Sequence, residues 1–365
     1  MKIIQVQTQA EAAGAQRVSD MVGAGLRARG HQVRTVFMYR KTDAYDADPH
    51  ADFVSRTPPG GLAGQAWAAL GLIRYLRAEK PAVVITYQYW GNLFGTIGGR
   101  LAGAKCLIAN QSGKPMTSGL LGIASRLDRL IGTWGWYDHN IVNSAWTRAQ
   151  FEAYPPAYKN RLRLIEHGVA SPDLKHDKTA ARARFGLPGE VPLVISTGRQ
   201  TREKNQRALV AALAHLPGVH LAIAGVGPDH DELVEMAEKA GLGGRLHMVG
   251  EISAAEIPVF LAAGDVFAFA SLFETFGLSV AEAAINGVPV VANDLPVLHE
   301  VLGDGDHAAA LFAPAHEPQV FARAVENVLA DPALAESLAA AGRNLRQKYA
   351  PEAMCAAYEA LLDTR

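Results

Sequence analysis

The chain has 365 residues, 49% hydrophobic and 19% charged, with 35 Lys+Arg against 36 Asp+Glu. That length exceeds a typical single domain and that composition excludes disorder, so two cores are expected. No apolar run approaches the roughly 18 residues of a membrane span. Cys106, Cys355 and twelve scattered histidines offer neither a disulfide framework nor zinc-ligand spacing.

In chain order, Met1–Gln7 reads as a short strand rather than a secretory signal. The first half predicts strands at Ile3–Val6, Val33–Phe37, Ala82–Thr86, Lys105–Ala109, Asn140–Asn143 and Leu162–Ile165. Helical patterns lie between them. One carries Val18, Met21, Val22 and Leu26 on a single face and ends at Gly30. Tyr39–Gly64, rich in Pro, Gly and Asp, predicts a long exposed loop. The second half predicts strands at Leu193–Ser196, Val219–Ala224, Arg245–Val249, Val266–Ala270, Val288–Ala292 and Ala309–Phe312. Ser253-Ala-Ala-Glu256 reads as a capping box opening the helix before the fourth of these. Pro351–Leu362 reads as a closing amphipathic helix. The alternation argues for α/β architecture, two doubly wound halves of similar size joined near Gly168–Val191. Ligands of such sheets bind at the carboxyl ends of the strands.

Two such ends carry chemistry. Ser196-Thr-Gly-Arg-Gln-Thr-Arg-Glu-Lys-Asn-Gln206 follows the first strand of the second half. Gly198 lets the chain turn close to a ligand, and Arg199 and Lys204 place two cations before the next helix. Together they suit a diphosphate, Arg through a bidentate fork and Lys as a point charge. Ser271-Leu-Phe-Glu-Thr-Phe-Gly-Leu-Ser-Val-Ala-Glu282 runs from a strand into a short helix, Leu278–Asn286, closed by Gly287. Free N–H groups at that helix start favour an anion. Glu274 and Glu282 beside it suit the hydroxyls of whatever the phosphate carries.

These two stretches resemble the signatures of glycosyltransferase family 4, retaining enzymes of the GT-B fold: Gly-Arg-x4-Lys-Asn, and Glu-x7-Glu within Ser-x-x-Glu-Gly-Phe-Gly-Leu-x-x-x-Glu. Thr275 stands where Gly is commonest. The resemblance implies an acceptor domain at 1–170 plus a returning C-terminal helix at 348–365, and a donor domain at 171–347, with a cleft between them. It implies that Arg199 and Lys204 hold the leaving nucleoside diphosphate, Glu274 faces the donor sugar and Glu282 the ribose. Gly198, Asn205, Gly225 (in Ile223-Ala-Gly-Val-Gly-Pro228), Ile252, Thr275, Phe276, Gly277 and Leu278 complete the donor site. On the acceptor or sugar side it implies Gly14, and Gln111 where many relatives carry histidine. Glu300 matches a family glutamate without an assigned role. The implied substrates are a nucleotide sugar and a sugar or lipid-linked acceptor, with no cofactor and no metal. A GT-B epimerase or phosphorylase, or a silent sugar-nucleotide-binding relative, are the alternatives.

Asp46-Ala-Asp48 and Asp304-Gly-Asp306 resemble metal-holding triplets, but neither directly follows a convincing buried strand, and solvated loops are expected. Two free thiols fit a reducing cytoplasm, and no nucleic-acid partner is expected. The charge is asymmetric: residues 1–172 hold 20 Lys+Arg and 11 Asp+Glu, the remainder 15 and 25. Such asymmetry is a hint of membrane or polyanion contact, peripheral contact with an anionic membrane among them, or else reflects two domains that drifted in composition. Gly119–Ile131, with Leu120, Ile123, Leu127, Leu130 and Ile131 on one face and Arg126 and Arg129 beside them, reads either as a core helix or as a bilayer-surface helix.

Overall fold

The computed structural model describes residues 1–362 except 12, 112, 171–175 and 304–306. The triplet Asp304-Gly-Asp306 therefore lies outside the described residues. The chain forms two compact units, Met1–Gly168 with Tyr349–Arg365, and Val169–Lys348.

The first unit holds seven strands: β1 Lys2–Ala10, β2 Gln32–Arg40, β3 Ala51–Ser55, β4 Val83–Tyr87, β5 Cys106–Gln111, β6 His139–Val142 and β7 Leu162–Leu164. Its helices are α1 Gly14–Ala28, α2 Gly61–Glu79, α3 Tyr89–Leu101, α4 Gly119–Thr133, α5 Ala145–Ala149 and α6 Pro156–Lys159. All neighbours pair in parallel, in the order β3-β2-β1-β4-β5-β6-β7. The strand order reverses between β1 and β4, the topological switch point. Strand β3 corrects the expected loop at Tyr39–Gly64. It is a half-buried edge strand on β2, flanked by Pro49, Pro58 and Pro59, so its surroundings carry loop composition. Edge strands tolerate such neighbours.

Val18, Val22 and Leu26 of α1 face the core as predicted, and Gly30 follows with φ 85°. The opposite side of α1 holds a titratable pair. The Tyr45 hydroxyl donates to Asp20 Oδ2 at 2.7 Å. Burial pushes the Asp20 carboxyl from its ordinary 3.8 up to about 6. A raised carboxyl value means that the folded state binds the proton more tightly than the unfolded chain. Its stabilising contribution is complete below about pH 4 and is lost as pH rises through about 6. Asp20→Asn keeps an acceptor for Tyr45 and carries no charge. It should stabilise the first unit by about 3 kcal/mol above pH 7 and by almost nothing at acid pH. Denaturation midpoints at the two pH values check this, and an equal gain at both would refute it.

The second unit holds β8 Leu193–Thr197, β9 His220–Ala224, β10 Leu246–Gly250, β11 Val266–Phe269, β12 Val290–Asn293 and β13 Leu311–Ala313, in the parallel order β10-β9-β8-β11-β12-β13. Its helices are α7 Lys178–Arg184, α8 Gln206–Leu213, α9 His230–Lys239, α10 Ile257–Ala263, α11 Leu278–Ile285, α12 Pro296–Leu302, α13 Pro318–Ala330 and α14 Pro332–Lys348. The switch point lies between β8 and β11. Ser253–Glu256 is a turn and not the first turn of α10: the Glu256 carboxylate takes the Ser253 N–H and hydroxyl, at 3.2 and 2.9 Å, while Glu256 itself caps α10.

The last helix, α15 Pro351–Glu359, returns to the first unit. It lies so close on α1 that a Cβ at Gly25 would meet Cys355 Sγ at 2.2 Å. The Tyr358 hydroxyl donates to Asn110.

Candidate active site

The two sequence motifs meet at the switch point of the second unit. The loop leaving β8 carries Gly198, Arg199, Lys204 and Asn205; the loop leaving β11 carries Ser271 to Gly277. They are laced together, Asn205 Nδ2 donating to the Ala270 carbonyl at 3.1 Å and the Leu272 N–H to the Glu203 carbonyl at 2.8 Å. Lys204 Nζ stands 2.6 Å from Glu274 Oε1, with the two side chains 22% and 10% exposed. The structure thus joins two residues seventy positions apart in the chain into one shielded ion pair. Arg199 is exposed and makes no ion pair among the described residues.

Backbone geometry explains why the glycines stand where they do. Gly198 has φ 148° and Gly225 φ 131°, both unfavourable for L side chains. A Cβ on Gly225 would stand 2.1 Å from the Gly198 carbonyl oxygen, so the ends of β8 and β9 touch backbone to backbone. Asn205 adopts the left-handed conformation at φ 53°. Gly277 caps α11 at φ 84°, with Val280 and Leu298 about its missing side chain. Leu278 opens α11, whose first N–H groups border this loop. Phe276 is buried beneath it and Thr275 half-buried. Glu282 lies inside α11, 4% exposed. Ile252 is half-buried on the loop after β10, and Glu300 half-buried on α12.

In the first unit, Gly14 opens α1 and is exposed. Gln111 ends β5, but its amide nitrogen turns inward. It approaches Asp128 Oδ1, Asn140 Oδ1 and the Tyr158 hydroxyl at 3.2, 3.1 and 3.1 Å. Tyr137 and Tyr158 also donate to Asp128. Burial pushes the Asp128 carboxyl up, and these donors pull it back. This network holds α4 by a polar face. Asp128, Ser125 and small residues point inward, while Leu120, Ile123, Leu127 and Leu130 are 62%, 50%, 38% and 45% exposed. Ile131, expected on that face, is buried.

Other groups at the carboxyl ends of the first sheet carried little sequence signal. Gln88 closes β4 at φ 66°, ψ 164°, a region nearly confined to glycine. Its Oε1 takes the Thr8 N–H at 3.0 Å, and Thr8 Oγ1 takes the Gly91 N–H at 3.0 Å. Beside them, Glu11 pairs with Lys41 at 2.6 Å. The only available hint was Gly91, whose Cβ would crowd the Val6 carbonyl at 3.3 Å. Asp46 is held by the Arg40 guanidinium at 2.7 Å, and Asp48 Oδ1 takes the His50 N–H.

Two doubly wound parallel units, with charged loops at the switch point of the second, define a GT-B protein. Residues 177–345 match the model described as glycosyl transferases group 1, and residues 12–171 the one described as glycosyltransferase family 4. The chain belongs to glycosyltransferase family 4. Among curated relatives, it is 34% identical to the lipopolysaccharide core biosynthesis glycosyltransferase LpsE of Rhizobium meliloti over half of this chain and 53% of that one. It is 31% identical to the GDP-mannose-dependent alpha-(1-6)-phosphatidylinositol monomannoside mannosyltransferase of Mycolicibacterium smegmatis, over 67% of this chain and 66% of that one. The chain thus spans about half to two-thirds of the length of these relatives. Anabaena HepE, solved with UDP and glucose, shares the fold at TM-score 0.85 and 19% identity, covering all of both chains.

Proposed function

We propose that this chain is a retaining, metal-independent glycosyltransferase that moves a sugar from a nucleoside diphosphate sugar to an acceptor held by the first unit. The observation that carries this reading is the Lys204–Glu274 pair, 2.6 Å apart at the switch point. A bound diphosphate would draw on Lys204, Arg199 and the N–H groups opening α11, which stabilise charge growing on the leaving group. Glu274 then faces the sugar and Glu282 the ribose. Gly198, Gly225 and Gly277 keep the backbone close enough for contact, with Asn205, Ile252, Thr275, Phe276 and Leu278 around the nucleotide. In the transfer, the acceptor hydroxyl attacks the anomeric carbon from the face that the diphosphate leaves. The carbon–phosphate oxygen bond breaks, the new glycosidic bond forms, and the hydroxyl proton passes to the departing phosphate oxygen. Gly14 and the polar groups about Thr8, Glu11 and Gln88 line the acceptor side. Gln111 acts there through the placement of α4.

The likeness to glycosyltransferases of lipopolysaccharide core and of phosphatidylinositol mannosides supports polysaccharide or glycolipid biosynthesis, and we place a lipid-linked acceptor at the inner face of a membrane. No helix among the described residues is long and apolar enough to cross one. The exposed apolar face of α4, interleaved with exposed Arg126 and Arg129, suits the surface of an anionic bilayer.

A thermal-shift series with UDP, GDP and ADP in excess chelator tests the core of this reading. At least one should stabilise the protein, and Arg199→Ala should weaken that effect. Turnover should survive the chelator. No shift with any nucleotide would sink the donor site. Turnover lost to EDTA and restored by magnesium or manganese would sink metal independence.

A further inference from the structure

A second cationic site lies on the first unit. Arg148 of α5, Glu152, Lys159 of α6, Asn160, Leu162 and Arg163 of β7 line a cavity of about 330 Å³ on the first unit. Three cations face one carboxylate, so the cavity carries an excess of positive charge. Lys159 Nζ pairs with Glu152 Oε1 at 2.7 Å. Arg148 is exposed and makes no ion pair among the described residues. Arg163 is steadied through Nη1, which donates to the Asn160 and Leu162 carbonyls at 2.9 and 3.0 Å. That leaves its other N–H groups for a ligand. Buried Leu162 belongs to the apolar cluster beneath. Two guanidinium groups and an ammonium lining one cavity suit a phosphate.

The cavity adjoins the exposed helix. Tyr158 of α6 donates to Asp128 of α4, and the Arg129 guanidinium of α4 lies 5.4 Å from the centre of the Tyr154 ring, on the segment between α5 and α6. At the end of α4, Trp134 is 67% exposed, and the next residue, Gly135, packs against Arg161, two positions before Arg163. An exposed tryptophan between apolar and cationic surfaces is the arrangement found at membrane interfaces.

We propose that this cavity binds the phosphate of an anionic lipid headgroup while α4 rests on the bilayer, an inference that builds on the membrane reading above. The cavity supplies headgroup selection and α4 supplies apolar contact, so separate substitutions separate them. Arg148→Gln/Arg163→Gln leaves the Lys159–Glu152 pair and the core untouched. Each cation near an anionic leaflet strengthens binding about 5-fold, so this double variant should bind vesicles containing phosphatidylglycerol roughly 25-fold more weakly. Its residual binding to pure phosphatidylcholine should match the wild type. Leu120→Ser/Leu127→Ser should lose binding to both. About 0.5 M salt should lower wild-type binding to the anionic vesicles to its level on phosphatidylcholine. If the arginine variant binds phosphatidylglycerol as wild type does, the cavity assignment falls and the membrane reading stands. If the wild type ignores both vesicles, the membrane reading falls. Binding of inorganic phosphate that the arginine variant lacks would then assign the cavity to a soluble phosphate and overturn the lipid source. No phosphate binding would overturn the site altogether.

Discussion

Lys204→Ala should lower turnover roughly 10²–10³-fold, the loss typical of removing a donor aimed at charge that grows in the transition state. The ion pair sharpens this expectation. Glu274 is only 10% exposed at its side chain, and Lys204 is its cation at 2.6 Å. Removing Lys204 leaves a shielded carboxylate uncompensated, so stability should fall as well. Glu274→Gln removes the charge but keeps hydrogen-bonding capacity. It should lose transfer while nucleoside diphosphate still binds through Arg199, Lys204 and α11. Because the two side chains form one unit, the double variant should be far less than additive. Turnover near wild type in both single variants, with melting temperatures lowered, would make the pair a structural device and remove the basis of the proposed chemistry.

The second unit was largely legible because its site is local in sequence. Gly198, Asn205 and Gly277 sit where the backbone needs left-handed or otherwise rare torsions, so residue type records geometry directly. Lys204 and Glu274 were legible as motif members. Their contact was not, because it depends on β8 and β11 being neighbours across a crossover.

The first unit hid more. Strand β3 is half-buried and proline-flanked, so its composition matched a loop. The rare torsion at Gln88 leaves no trace in the residue name, since it is sustained by the bond from the Thr8 N–H. Helix α4 misleads for a clearer reason. Apolar periodicity shows that one face differs from the other, but not which face is inside. Here the buried Asp128, satisfied by Tyr137, Tyr158 and Gln111, fixes the polar side inward and leaves the leucines outside. Gln111 was expected on the acceptor or sugar side, and its amide nitrogen serves this anchor.

The segment joining the two units also carried more structure than its sequence suggested. Within Gly168–Val191 stands α7, whose Arg182 is 4% exposed. Its Nε donates to the Ala263 carbonyl at 2.9 Å, and its Nη1 to those of Gly189 and Val191 at 2.6 and 3.0 Å. Its Nη2 meets Asp265 Oδ2 at 2.7 Å, the same oxygen that takes the Leu193 N–H. One guanidinium thus ties α7 to the starts of β8 and β11, the two strands whose far ends carry the candidate site. Arg182→Ala would strand buried carbonyls and leave Asp265 with Lys178 as its one cation among the described residues, and that side chain is 52% exposed. The expected cost is about 3–5 kcal/mol, enough to unfold the second unit under mild denaturant. Arg182→Lys keeps the charge but not the planar fork, so it should recover only part of that loss. Lys178→Ala, a surface pair, should cost less than about 1 kcal/mol. Urea midpoints of the three variants give the ranking. An Arg182→Ala midpoint equal to that of Lys178→Ala would show that the hub carries no more than a surface ion pair.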